Sequence, residues 1–218
     1  MAQIFKPSDD TWLRVALLLV GLAVAGAFLV AGGIVRSTYV TQVGQAPRQP
    51  VPFSHAHHVG GLGIDCAYCH TGFARSPSAG LPPTHTCMSC HSQIWTEAEV
   101  LRPVRQSLVE DRPIYWNRVA DLPDFVYFNH EVHIDAGVGC VTCHGRIDEM
   151  HRTRQAEPFQ MQWCLDCHRN PAPQLRPAGQ ITAMDWQPEA RPAAMGAELI
   201  AQHGISVDTL DDCYVCHR

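Results

Sequence analysis

Between Val15 and Val35 the chain carries no charged residue, and an almost unbroken apolar run stops only at Arg36. The hydrocarbon core of a bilayer takes about 20 such residues as a helix, so the pattern predicts a membrane-spanning helix over about 13–35, inside an N-terminal anchor of residues 1–36. A cleaved secretory leader has a shorter apolar core, which favours an uncleaved signal anchor. Ala23, Ala27 and Ala31 recur on one face of this helix. That spacing suits close packing against another membrane helix, and equally an Ala-rich face turned to lipid.

After Arg36 the pattern changes. Residues 37–52 are polar and contain Pro47 and Pro50, which reads as a linker. Beyond it the apolar residues fall in short clusters separated by Pro, Gly and His. Helix-like runs occur at Glu97-Ala98-Glu99-Val100-Leu101 and Ala197-Glu198-Leu199-Ile200-Ala201-Gln202, and Arg112-Pro113-Ile114-Tyr115-Trp116 and Leu122-Pro123-Asp124 are broken by proline. The expectation is a mostly α chain with long loops and almost no sheet.

The ten cysteines all fall in the pattern Cys-x-x-Cys-His, at Cys66/Cys69/His70, Cys87/Cys90/His91, Cys140/Cys143/His144, Cys164/Cys167/His168 and Cys213/Cys216/His217. Each is the attachment pattern of a c-type haem. Its two thiols add to the two vinyl groups of one porphyrin, and the adjoining imidazole reaches the iron as proximal ligand. Zinc ribbons use Cys-x-x-Cys pairs two at a time, so five pairs would leave one without a partner. Neither disulfides nor thiol redox chemistry explains a His after every second Cys. The reading is five covalent haems c.

The sequence also repeats itself. Phe53-Ser54-His55-Ala56-His57-His58 precedes the sites at Cys66 and Cys87, and Phe128-Asn129-His130-Glu131-Val132-His133 precedes those at Cys140 and Cys164. This divides the chain into a first dihaem module (53–91), a connector (92–127), a second dihaem module (128–170) and a Pro-rich tail (171–218) carrying the fifth site. Two His on one helical turn point to the same side, where adjacent irons could each take one. His55, His58, His130 and His133 are thus the expected distal ligands, with their pairing to individual irons left open. His57 points elsewhere on a helix and is taken as structural. His85 and His151 are weaker candidates, and His203 suits a helix C-terminus. A fifth distal ligand remains to be found, and Met150 is preferred to Met161, because thioether ligation is common in cytochromes c and Met161 stands one turn before Cys164. With roughly thirty residues per haem the porphyrins must supply much of the core, and Trp95, Trp116, Trp163 and Trp186 are expected to pack on them.

A net charge of -5 offers no basic footprint for nucleic acid, so nucleic acid is not expected as a partner. Lys6 and Arg14 on one side of the anchor are matched by Arg36 and Arg48 on the other, so charge does not orient it. Haem c is attached outside the bacterial cytoplasmic membrane, which puts everything after Arg36 on the periplasmic face.

The apolar N-terminal helix, the attachment sites, and the segments Leu122-Pro123-Asp124-Phe125-Val126-Tyr127-Phe128-Asn129-His130 and Met161-Gln162-Trp163-Cys164-Leu165-Asp166-Cys167-His168-Arg169-Asn170-Pro171 together resemble the pentahaem cytochrome c subunit of bacterial alternative complex III. The resemblance covers nearly the whole chain, departing from it at Ala120, where the family often has His. It implies an electron-transfer subunit of a quinol-oxidising membrane complex. It also implies three kinds of partner: an iron–sulfur protein, polytopic quinol-binding subunits and a monohaem cytochrome c. The alternative is a stand-alone, membrane-anchored multihaem quinol dehydrogenase feeding a periplasmic reductase. A pentahaem nitrite reductase fits poorly, because no Cys-x-x-Cys-Lys occurs. On either of the first two readings the mature chain carries five haems, checked by haem content per polypeptide after denaturation; four or fewer in fully matured protein would defeat the count.

Overall fold

The computed structural model describes residues 6–187 and 194–217, in two compact units divided after Gln42. The first is dominated by α1 (Pro7–Arg36), a 30-residue helix. Pro7 opens it, where a missing N–H costs nothing. The Lys6 backbone N–H donates to the Asp9 carboxylate at 2.8 Å, and Asp9 and Asp10 face the positive end of the helix dipole. At the other end Arg36 donates to the Gly32 carbonyl (3.3 Å) and the Ser37 hydroxyl to that of Ile34 (2.6 Å), and a short turn, α2 (Thr38–Thr41), follows. At about 1.5 Å per residue α1 runs some 45 Å, more than the roughly 30 Å hydrocarbon thickness. By length and composition it can cross a membrane.

The second unit is built from short helices. Each attachment motif forms one: α3 (Cys66–Cys69), α4 (Thr84–His91), α7 (Cys140–His144), α8 (Met161–Arg169) and α10 (Cys213–Cys216). Between them lie α5 (Arg102–Glu110), α6 (His130–Asp135) and, after α8, α9 (Ala194–Gln202). Among the described residues there is no strand, only one isolated antiparallel bridge between Val138 and Leu175. The mostly helical, loop-rich chain expected from the sequence is what is observed.

One local expectation shifts. The helix read at Glu97–Leu101 is a single tight turn over Glu99–Leu101, and the true helix is α5, which continues to Glu110. Pro103 explains the break. Its ring would clash with the carbonyl four residues back in a continuous α-helix, but it is tolerated in a first turn. Val51, Leu101 and Val104 then form one small buried cluster, packed by Cys87, Met88, Ile114 and Trp116. Val138, Leu175 and Leu199 form another, packed by Met195, Ile200 and Ile205. Residues 44–49 run along the unit: the Gly44 N–H donates to the Gln155 carbonyl (2.8 Å), and Gln49 exchanges hydrogen bonds with the Asn117 backbone (2.8 and 2.9 Å).

Close backbone approach holds the two modules together. Gly60 lies so near the Asp148 carbonyl that a Cβ would overlap it, and the Ala56 N–H donates to the Met150 carbonyl beside it (3.0 Å). Gly60→Ala should therefore destabilise the protein by about 1–3 kcal/mol as an overpacked contact. Gly179→Ala, with nothing within 4 Å, should stay within about 0.5 kcal/mol. Chemical denaturation of the two variants side by side checks this, and equal stabilities would refute the contact.

Candidate haem-binding site

The repeated Phe-x-His-x-x-His segments fold alike. In the first, Ser54 Oγ accepts the His57 N–H (3.2 Å); in the second, Asn129 Oδ1 accepts the Glu131 N–H (3.0 Å) and caps α6. Phe53 meets His55 edge-on (4.9 Å between ring centroids) and stacks on His58 (4.4 Å). Phe128 treats His130 (4.8 Å) and His133 (4.5 Å) the same way. The second His of each pair donates from Nδ1 to the carbonyl four residues back, Ser54 for His58 (2.9 Å) and Asn129 for His133 (2.7 Å). A carbonyl only accepts, so these rings carry their proton on Nδ1 and present a bare Nε2. One difference separates the repeats: Ala56–Gly61 widens into a π-helical turn, whereas α6 stays α.

Each of these imidazoles faces the histidine of one attachment motif. His55 faces His70 with ring centroids 6.5 Å apart, His58 faces His91 at 6.2 Å, His130 faces His144 at 6.4 Å, and His133 faces His168 at 6.1 Å. Metal–imidazole bonds are about 2 Å long, so two rings on either side of one ion have centroids roughly 6 Å apart. Four histidine pairs thus have the separation that one iron requires. Among the described residues no group of three or more His, Cys, Asp or Glu converges on one point. The motif cysteines beside each pair would hold a haem covalently and the two imidazoles would bind its iron, so the residues present fit that group.

Four of the five attachment histidines are oriented in the same manner. Nδ1 donates to the carbonyl of Gly80 from His70 (2.8 Å), of Ile94 from His91 (3.2 Å), of Leu210 from His168 (2.7 Å) and of Phe125 from His217 (3.0 Å). Burial favours the neutral ring at His55, His144, His130 and His133. It takes His55 down to about 4, helped by His70, His58 and His144, and takes His144 to about 4, helped by His130 and His70. Burial likewise lowers His130 and His133. Burial raises the Cys143 thiol to about 12, and the Cys140 thiol is raised first by its hydrogen bond with Cys66 and then by burial.

The ten attachment cysteines are not enclosed alike. Cys66, Cys69, Cys87, Cys140, Cys143, Cys164, Cys167 and Cys216 are half-buried, whereas Cys90 in the second site and Cys213 in the fifth are exposed. Cys90 stands one residue before the end of α4, and its Sγ accepts only a long contact from the neighbouring Ser89 hydroxyl (3.8 Å). The sequence assigns Cys90 the same role as the other nine cysteines, and nothing in its motif distinguishes it. Cys87, one turn earlier, lies against the Val51, Leu101 and Val104 cluster, which Cys90 does not join. Exposure does not prevent attachment, since the reaction needs a thiol within reach of a vinyl group and not an enclosed one.

Contacts between the sites set them in a row. Tyr68 Oη and Ser89 Oγ, 2.8 Å apart, tie the first site to the second. The first and third meet at Ile181–Thr182: Thr182 donates to Asp65, which caps α3 (2.9 Å), and the Ile181 carbonyl accepts the Cys140 N–H at the start of α7 (3.0 Å). His130 also donates its N–H to Pro77, in the loop after the first site (3.2 Å). The third and fourth share the turn of His130 and His133. The fourth joins the fifth through the Arg169–Asp211 ion pair (2.9 Å) and the His168–Leu210 bond, and the Tyr127 N–H donates to the Cys216 carbonyl (2.9 Å). The order in space is second, first, third, fourth, fifth.

His217 is brought against Phe125, 5.8 Å between centroids, and among the described residues no histidine ring faces it. Met150 is buried beside Gly145, and Met161 is exposed at the start of α8. His57 packs between His58 (5.3 Å) and Trp95 (6.4 Å), and faces no attachment histidine among the described residues. His151 Nδ1 lies 3.3 Å from Ser54 Oγ, and His203 packs on Gly137. Thr153, whose hydroxyl meets His55 Nδ1 at 3.0 Å, has no sequence signal, since a lone Thr ninety-eight positions away carries no spacing code.

The facing imidazoles and attachment motifs of residues 126–218 define a multihaem cytochrome c domain. Residues 126–218 match the family described as cytochrome c7 and related cytochrome c, and this part of the chain is a cytochrome c7-like multihaem domain. The chain is also similar to the multihaem cytochrome c subunit of a menaquinone reductase from Nitratidesulfovibrio vulgaris, 36% identical over 98 residues. That match covers 44% of this chain and 45% of the relative, less than half of either.

The facing rings generate a test. In the haem-loaded protein His58→Ala should convert one low-spin iron to high-spin in the electron paramagnetic resonance spectrum, and His57→Ala none. The opposite outcome would move the ligand to His57.

Proposed function

We propose that the chain is a membrane-anchored pentahaem cytochrome c, relaying electrons between a quinone-reacting membrane partner and a periplasmic acceptor within a complex of the alternative complex III kind. The observation that carries this is the row of five attachment sites, held by one contact network with four facing imidazole pairs. Each haem, when bound, exchanges one electron. The chain's own residues hold the rings, and backbone carbonyls take the Nδ1 protons of His58, His70, His91, His133 and His168. His55 and His70, His58 and His91, His130 and His144, and His133 and His168 are the pairs that would hold the irons.

For the fifth iron, His217 is the proposed proximal ligand, and Met161 is proposed in place of Met150 as the distal one. Met161 starts the helix that Arg169 and His168 tie to the fifth loop, whereas Met150 is buried beside the third site. The N-terminal helix serves as the anchor, with the haem unit on the periplasmic face, where haem c is attached. The apolar span holds no ionisable residue between Val15 and Val35 to accept the protons of quinol, so these acceptors belong to partner subunits. An iron–sulfur protein, polytopic subunits and a monohaem cytochrome c are the proposed partners.

A second reading concerns direction. The relative's name makes it part of a menaquinone reductase, which delivers electrons into the quinone pool, and the same row serves either way. Mixing the purified, haem-loaded chain with a reduced quinol analogue in a stopped-flow spectrometer tests the proposal. No rapid haem reduction is expected until the membrane partners are restored. Fast, inhibitor-sensitive reduction of the chain alone would overturn the relay and establish the stand-alone dehydrogenase. In the restored complex, reoxidation of pre-reduced haem by quinone, without reduction by quinol, would reverse the direction.

A further inference from the structure

Arg176 is the largest fully buried side chain among the described residues, 1% exposed. It follows Leu175, whose backbone bridges to Val138, and its own N–H donates to the Gly137 carbonyl (2.9 Å). The guanidinium folds back onto Gly139, the residue before Cys140, so closely that a Cβ there would overlap it. Gly139 has φ -85, so glycine stands there for space and not for backbone conformation. Nη1 donates to the carbonyls of Gln180 (3.3 Å) and Ala183 (3.1 Å), Cζ lies 5.0 Å from the Trp186 ring centroid, and Nε is buried without a hydrogen-bond partner.

Among the described residues no carboxylate pairs with Arg176. A buried cation held by carbonyls and a ring but facing no counter-ion among the described residues is unfavourable compared with an apolar side chain of the same volume, so stability alone does not explain it. Burial lowers its pKa, but a guanidinium starts so high that it stays charged. The charge is therefore permanent, shielded from salt, and placed where the first and third attachment sites meet.

We propose that Arg176 is a positioning residue that sets a fixed positive charge against the third attachment site, so that the haem carried by Cys140 and Cys143 is held at a higher reduction potential than its axial ligands alone would give it. Reduction adds one negative charge at the iron, and a nearby unscreened cation favours that state; burial and local charge are among the levers by which a protein tunes haem. The proposal rests on the covalent-haem reading. It makes the middle of the row the place where an electron rests.

Arg176→Gln keeps amide donors for the Gln180 and Ala183 carbonyls and removes the charge, and Arg176→Lys keeps the charge. Both are made in the full-length chain, and haem content is counted first, since a third site without haem would defeat the haem reading and not this one. In spectroelectrochemical titration the Gln variant should show one haem displaced to lower potential. Its reduced-to-oxidised ratio at a fixed applied potential should fall about tenfold, ~59 mV for a one-electron couple, with smaller shifts in the others. The Lys variant should stay within about twofold of the parent. No shift in the Gln variant, or equal shifts in both, would mean that Arg176 is structural only. The unaltered protein decides the matter if the variants fail to mature. Among the four haems with paired imidazoles, haem-methyl NMR should show the Cys140–Cys143 haem reduced first, and any other leading would overturn the proposal.

Discussion

Two imidazoles that share one metal ion must face each other across a gap set by two metal–nitrogen bonds, and nearly everything else in the haem unit serves that requirement. A free histidine samples several rotamers, and an unoriented ring has two nitrogens to offer. The structure removes both freedoms. Phe53 and Phe128 hold the rings of the two His-x-x-His turns, and backbone carbonyls take the Nδ1 protons. Conformational entropy that would otherwise be lost on binding the cofactor is thereby lost on folding.

The requirement is met with little apolar core. Among the described residues nine hydrophobic side chains are buried, in two small clusters and scattered positions, too few to organise the unit by themselves. What joins the modules is mostly polar and close: Gly60 against Asp148, Thr182 on Asp65, Cys140 on Ile181, and Arg169 paired with Asp211. Such contacts depend on distance and direction, which is how a chain with no sheet among its described residues can keep several rings in register. Arg176 belongs to the same economy, since one side chain spans Gln180, Ala183 and Trp186 while lying on Gly139.

The duplicated segment shows how far a local code reaches. Phe-Ser-His and Phe-Asn-His build nearly the same arrangement although the first turn is π and the second α. The cap and the aromatic ring act within five residues of the histidines they serve. Neighbours at that range are set by helical geometry alone, so the repeat in sequence becomes a repeat in space.

The attachment motifs, the two His-x-x-His turns, the apolar helix and the absence of extended sheet among the described residues were all legible in the sequence. Each is coded by residue type at short, fixed spacing: two vinyl groups demand two cysteines at one separation, and a bilayer demands a run of apolar residues. The helix at Arg102–Glu110 was not read from the sequence, where the helical run was placed at Glu97–Leu101; Pro103 lies in its first turn. Which imidazole faces which, the order of the sites, the exposure of Cys90 beside half-buried Cys87, Thr153 beside His55 and Arg176 over Gly139 belonged to the tertiary structure alone. Their partners lie tens of residues apart, as with His168 and Leu210 or His55 and Thr153, and many are backbone carbonyls, which every residue possesses. A group common to all residues leaves no mark in a sequence, so only the folded chain could decide which carbonyl each histidine would meet.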